Sequence, residues 1–460
     1  MGGTGVALGT DGAAPFLNPA TLVRIDSILS VSVNLLAANV TTFSRFQQPG
    51  AIDAAFGGLQ LQNTTVTDTS LQVVPSTLCL FLDGPKIGHA QDNQGKEKLG
   101  ACFGTVEQDS IAFIGHGYKS GTGRQTSTVQ SLTRGWSRFV LAPTWAVYLT
   151  DDFAIGASAQ AVITNANSIV ASGATTYGNG STVTTSYQSG LDANAFGVDV
   201  LLGATWRTGR WTLGAAFQTA DLDLYGSTHA SRFQQYSGVT GRPDYAATYA
   251  GTGGFRSEAP WRVSLGVGKE WSWGMTELDV SLGLPHEAPF DATTKGEQTI
   301  TQGGASSTSA TQLLLGERKS ALLHAALGVE GYVSRSISLL GGLGASATFI
   351  DAVGGVLPTR QNRISTAFGL GSHGEGGDLL IGTELSLSWG QTLAVNPYQL
   401  APDVLPIDIV GFRALFVLAG STSLKAIGRA VTDVVIDPVR REQEKARQRE
   451  KELRDKQRGN

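Results

Sequence analysis

The residue types that most often carry chemistry are sparse in this chain and do not converge. His89, His116, His229, His286, His324 and His373 stand singly, with none of the close spacings that place two ligands on one face of an element, so neither a metal centre nor a cofactor is expected. No Gly-x-Ser-x-Gly elbow marks a nucleophile. Gly342-Leu-Gly344-Ala-Ser-Ala347 has the outline of a dinucleotide fingerprint. It lies inside a predicted strand with no helix after it, and without a helix N-terminus there is nothing to hold a pyrophosphate. These absences point away from an enzyme. The two cysteines, Cys79 and Cys102, fall on neighbouring predicted strands near one rim, and would bridge if their Cα atoms came within about 7 Å.

The elements that would position any site are strands. Only 16% of the 460 residues are charged, against about 25% in ordinary soluble domains, while glycine contributes 59 residues and methionine two. Helical cores draw on Met, Leu and Ala, so this bias favours strands and turns. No window approaches the roughly 18 uninterrupted apolar residues of a membrane-spanning helix. The net charge of −4 gives no reason to expect nucleic acid as a partner.

Period-2 alternation recurs along the chain. From Leu322 to Val333 one parity reads Leu323, Ala325, Leu327, Val329, Gly331, Val333, and the other Leu322, His324, Ala326, Gly328, Glu330, Tyr332. Phe153 to Ile163 and Leu379 to Trp389 repeat the pattern. One face suits lipid and the other water. Strands are predicted near 27–44, 69–82, 98–115, 135–149, 153–169, 192–207, 211–226, 257–271, 275–286, 320–333, 337–350, 363–371, 378–394 and 409–423, an even set of fourteen. Short turns at 150–152, 208–210, 272–274 and 334–336 alternate with long polar loops at 171–190, 227–256 and 291–319. Trp136, Trp206, Trp211, Trp261, Trp271 and Trp389 fall near strand ends, where interfacial girdles lie. The expected fold is all-β: a fourteen-stranded antiparallel transmembrane β-barrel over residues 25–424. A soluble β-sandwich is the alternative, and the alternating loop lengths tell against it.

Two regions fall outside the barrel pattern. Residues 1–24 are glycine-rich and irregular, and are expected to form a plug inside the lumen. Residues 425–460 turn helical and charged, with nine Lys/Arg against five Asp/Glu from Arg440 to Arg458. This tail reads as a solvated helix or a disordered segment, and could also meet a partner or anionic lipid. The opening Met-Gly-Gly-Thr-Gly has neither the charged nor the apolar stretch of a secretory signal.

Several of these residues resemble the FadL family of outer-membrane transporters for long-chain fatty acids and other hydrophobic compounds. The segment from Gly3 to Asn18-Pro19-Ala20 is similar to the family's N-terminal hatch. Asp152 to Gln160, Leu357 to Ser365 and Gly390 to Tyr398 look like its strands 5, 12 and 13. The resemblance implies an outer-membrane barrel plugged by the hatch, a ligand site in the lumen and a lateral opening at a kink in strand 3, here at Gly104, Glu107 and Asp109. Partners implied are a long-chain fatty acid or another hydrophobic small molecule, outer-membrane lipid and lipopolysaccharide, and a periplasmic setting for the tail. Late in strand 5, where a basic residue suited to a carboxylate is expected, this chain has Asn165.

Val6, Leu8, Phe16 and Leu17 are the large apolar side chains of the hatch, and with Asn18, Pro19 and Ala20 they are the expected ligand or hatch residues. They could line a ligand pocket or pack the plug against the wall. A passive porin or a surface structural barrel is the competing reading, which the small Gly, Ala, Ser and Thr residues of the predicted lumen do not favour.

Overall fold

The computed structural model describes residues 4–9, 12–25, 28–44, 66–84, 96–121, 123–178, 180–284, 286–353, 360–374, 377–395 and 404–423. The predicted tail, 425–460, and the Asn-Pro-Tyr stretch at 396–398 lie outside them. Seventeen strand segments follow a single helical turn, α1 (Ala14–Leu17), and a 3-10 helix (Pro19–Arg24). They are β1 (Ile28–Ser44), β2 (Val66–Asp83), β3 (Glu97–Gly121), β4 (Arg124–Tyr148), β5 (Phe153–Gly178), β6 (Ser181–Thr208), β7 (Trp211–Gln218), β8 (Leu222–Ser237), β9 (Tyr245–Arg256), β10 (Arg262–Trp271), β11 (Gly274–Gly283), β12 (His286–Gln302), β13 (Ala305–Tyr332), β14 (Ile337–Val353), β15 (Arg360–Gly374), β16 (Gly377–Val395) and β17 (Val404–Ser423).

Three pairs of segments are single staves with a local break. β6 pairs with both β7 and β8, while β13 pairs with both β11 and β12. Between them β7 meets β10, and β8 meets β9. The wall therefore has fourteen antiparallel staves, and β1 pairs with β17 from Ile28↔Ser423 to Ser44↔Asp408 to close it. This pairing covers the edges of the first and last strands, as strands that stand in lipid require.

The alternation read from the sequence sets which face is which. Leu323, Leu327 and Val329 on β13, and Leu379, Ile381 and Leu387 on β16, are exposed outward, while Ala326, Glu330 and Ser386 are buried inward. Trp261 and Trp271 stand ten residues apart along one stave. At about 3.3 Å per residue and a tilt near 40° that length spans about 25 Å, the height of an outer-membrane apolar belt. Trp206, Trp211, Trp271 and Trp273 ring the rim where β1 begins, with the Lys269 ammonium 3.8 Å from the Trp271 ring centre and 4.5 Å from that of Trp211.

Two expectations need correction. The stretches 171–190, 227–256 and 291–319 are largely β-hairpins that continue the wall beyond the belt, turning at 180, 238–244 and 303–304. Their threonines are β-branched and pair across strands, as Thr126 with Thr176 and Thr299 with Thr308, both at 3.0 Å. Trp136 is not a girdle residue. It sits mid-strand in β4 on the inward parity of Arg134 and Arg138, packed in a luminal cluster.

Candidate functional site

The N-terminal segment folds around Asn18. Pro15 starts the turn of α1, and Asn18, in an extended conformation, caps the 3-10 helix that Pro19 begins. The Asn18 side-chain oxygen accepts from the Ala20 amide at 3.0 Å, and its Nδ2 donates to the carbonyls of Val6 at 2.6 Å and Ala204 at 3.1 Å. One buried side chain thus ties both halves of the segment to the wall.

The opening stretch is held through its backbone. The amides of Gly5 and Val6 donate to Asp279 Oδ2 at 2.8 and 3.0 Å, and those of Ala7 and Leu8 to Glu277 Oε1 at 2.6 and 3.0 Å. The segment lies so near the inner wall that a Cβ at Gly203 would overlap the Asn18 carboxamide, and one at Gly268 the Leu8 side chain. At its other side Gly12 O lies 3.4 Å from Cys79 Sγ. Cys79 and Cys102 face each other across β2 and β3 and are disulfide-bonded, Cα to Cα 4.1 Å. Since β11 and the β2–β3 pair lie on nearly opposite sides of a fourteen-stave wall, the described residues 5–9 and 12–25 make contacts from one side of the wall to the other.

The expected hatch residues have distinct roles in this packing. Val6, Leu8, Asn18, Pro19 and Ala20 are buried against the wall and Leu17 is half-buried. Phe16 joins Leu22, Val23, Ile25, Phe81, Val140 and the disulfide in one apolar cluster.

Above α1 lies a polar belt that sequence reading missed. Arg138 of β4 pairs with Asp221, between β7 and β8, and lies 3.9 Å from Asp199 of β6. Gln218 Nε2 reaches Asp199 at 3.2 Å and Gln160 at 3.3 Å, and Gln160 Nε2 donates to Pro15 O at 3.2 Å. Arg262 donates to Phe16 O, also at 3.2 Å. With Asp223, which accepts from the Ser257 amide at 2.6 Å, the belt holds two guanidiniums against three carboxylates. Asn165 takes no part, because it lies on the lipid-facing parity of β5 beside Ile163. The signal in the sequence was a charged residue on the inward parity of an otherwise membrane-compatible strand. Farther outward, Leu191, Tyr249, Phe255 and Ala292, with Trp136 and Leu313 against them, form an apolar cluster on the inner wall.

Among the described residues the wall is incomplete at one seam. The β2–β3 ladder runs from Asp83↔Lys98 to Thr77↔Gly104, and among the described residues it has no rung beyond. Among the described residues, β3 pairs only with β4 from Thr105 to Gly121, and β2 only with β1 from Val66 to Pro75. A β-bulge at Val106 shifts the β3–β4 register between Thr105 and Glu107. Glu107 and Asp109 follow it, opposite Arg138 and Trp136 in the backbone register.

One side-chain group has the connectivity of a hydrolytic triad, but its serine is buried. Ser338 Oγ lies 2.9 Å from His373 Nε2, and His373 Nδ1 3.1 Å from Asp378. Ser338 is 0% exposed and Glu330 Oε1 stands 3.4 Å from the same Nε2. A nucleophile needs access to substrate and an undivided base, and this serine has neither.

No protein-family model and no curated protein matches the chain by sequence. Solved structures do. The Pseudomonas putida toluene transporter TodX matches at 14% identity over 92% of this chain and 99% of its own, with a TM-score of 0.50. A TodX deltaS2 mutant, a monoaromatic hydrocarbon channel, matches at 13% identity over 92% and 97%, with a TM-score of 0.51. The fold is that of the FadL-family transporters. A Pseudomonas aeruginosa FadL homologue matches at 11% identity over 92% of this chain and 96% of its own, with a TM-score of 0.48. The FadL-type architecture accounts for the stave count and the closed wall. The polar belt and the anchoring carboxylates are described from this chain's own residues.

Proposed function

We propose that this chain is an outer-membrane channel for hydrophobic compounds, with residues 1–24 as the hatch and with lateral release through the wall gap above Gly104. The observation that carries the reading is the end of the β2–β3 ladder at Thr77↔Gly104 among the described residues, in a barrel whose facing walls are both contacted by residues 5–9 and 12–25. Each CH₂ moved from water into an apolar setting gains about 0.8 kcal/mol. A hydrophobic solute therefore gains nothing from a wet pore, and gains from a side exit into lipid. Val106, exposed outward at the bulge, and Phe103 beside it would give that exit an apolar lip.

The ligand class follows from the belt. Long-chain fatty acids belong to the hydrophobic compounds such a channel would carry. An ionised carboxylate would have to displace Asp221 and Asp199 from Arg138, in a belt already rich in carboxylates. Uncharged compounds, aromatic hydrocarbons among them, meet no such competition and suit the cluster of Trp136, Leu191, Tyr249 and Phe255. The tail after Ser423 would then lie on the periplasmic side, at the rim where β1 begins.

Titration of the detergent-solubilised protein with toluene and with palmitate tests the ligand class. Quenching of a tryptophan component that Trp136→Phe abolishes is expected with toluene, and at higher concentration with palmitate at neutral pH. Saturable palmitate binding with no response to toluene would reverse the preference.

A further inference from the structure

We infer that Glu277 and Asp279 are the latch that holds the N-terminal segment closed; this rests on reading that segment as a hatch. The two side chains occupy successive inward positions of β11, each with 1% of its surface exposed. Each puts one carboxylate oxygen on two consecutive amides, so Gly5 to Leu8 are gripped by four hydrogen bonds at 2.6 to 3.0 Å. The other oxygens, Glu277 Oε2 and Asp279 Oδ1, are buried without a hydrogen-bond partner among the described residues. Two buried carboxylates thus depend on the segment for their donors, and a charge left unpaired in such a place is costly.

The grip is on backbone and not on side chains, though position 5 also needs glycine, since Gly5 has φ +152° and a Cβ there would come within 2.9 Å of Leu17 Cδ1. The grip needs close approach. Gly214 and Gly266 supply that, since a Cβ at Gly214 would overlap the Val6 carbonyl and one at Gly266 would come within 3.0 Å of the Ala7 amide. The four bonds break together when the segment lifts, because they join two adjacent acceptors to one continuous stretch of chain. Closure is therefore expected to be two-state, and the latch lies on the wall facing the disulfide and the β2–β3 seam.

The test uses the full-length chain in detergent with Glu277→Gln, Asp279→Asn and both together. A neutral amide keeps the shape but loses the charge that makes these bonds about twice as strong as neutral ones. Hydrogen exchange of a peptide covering residues 4–9 should speed up roughly tenfold in each single variant and further in the double. Exchange in the β10–β11 ladder should not change. Equal exchange in the wild type and a folded double variant would overturn the latch. If the double variant does not assemble, the single variants decide by the same criterion. Uptake of toluene separates the latch from the hatch: fast exchange with unchanged uptake upholds the latch and refutes gating by the segment.

Discussion

Cys79 lies directly opposite Cys102, and two rungs further along, at Thr77↔Gly104, the ladder between their strands stops. The disulfide is thus the covalent limit of the seam. It keeps the parting of β2 and β3 from running down to the rim, where Lys98 and Asp83 form the last ion pair. The bridge closes a loop with a sequence separation of 23. For a loop of that size, chain entropy alone stabilises by about 3 kcal/mol. Cys79→Ser with Cys102→Ser should lower stability to urea by about that amount, and should speed hydrogen exchange at Leu78 to Leu82 more than anywhere else in the wall.

Asn18→Ala removes one acceptor and two donors at once and leaves the Val6 carbonyl and the Ala20 amide buried without this partner. A loss of about 1–3 kcal/mol for each unsatisfied group is the expected scale, confined to the segment and not the barrel. Asn18→Asp keeps the acceptor for Ala20 but puts a carboxylate against two carbonyls, so it should be the worse of the two. Limited proteolysis before β1, compared among the three proteins, reads the order.

Gly203→Ala tests the close approach in isolation, because its Cβ would meet the Asn18 side chain, Pro19 and the Ala20 amide. The segment should loosen while the β5–β6 ladder, which passes through Gly156↔Gly203, stays intact. Exchange rates on the two sides of that contact distinguish a displaced segment from a damaged wall.

The barrel was legible because lipid on one side and water on the other impose a period of two on every stave, as in Leu323 to Val333. The hairpin tops were not. Outside the belt both faces are wet, so Ala, Thr and Ser alternate with no apolar contrast, and only their β-propensity marks them. The Asn18-Pro19-Ala20 turn could be read locally because its capping partner is two residues away. Asp279 and Glu277 could not be read as partners of Gly5 to Leu8, since about 270 residues separate them. Arg138, Asp199 and Asp221 are likewise joined only by closure of the wall. Trp136 and Asn165 misled for one reason: a strand's facing is set by its register, and a misjudged level or parity turns a luminal residue into a lipid-facing one, or the reverse.

Arg138→Met leaves Asp221 and Asp199 buried without their cation, and breaking a buried pair in this way costs about 3–5 kcal/mol. Adding Asp199→Asn and Asp221→Asn should recover most of that loss. Thermal unfolding of the wild type, Arg138→Met, the Asp199→Asn/Asp221→Asn double variant and the triple variant supplies the cycle. Recovery of stability without recovery of uptake would separate the belt's role in folding from its role in the path.

The measurement that bears most directly on lateral release is uptake through a barrel whose bulge has been removed. Deleting Val106 brings Thr105↔Phe139 and Glu107↔Arg138 into continuous register without turning any later residue of β3 to the other face. The straightened strand can then extend its ladder with β2 past Gly104. With radiolabelled toluene supplied to cells carrying equal amounts of folded barrel, the deletion should reduce uptake to near the level of cells lacking the protein. Hydrogen exchange should show new protection at residues 66–76. Undiminished uptake together with that protection would contradict release through the wall.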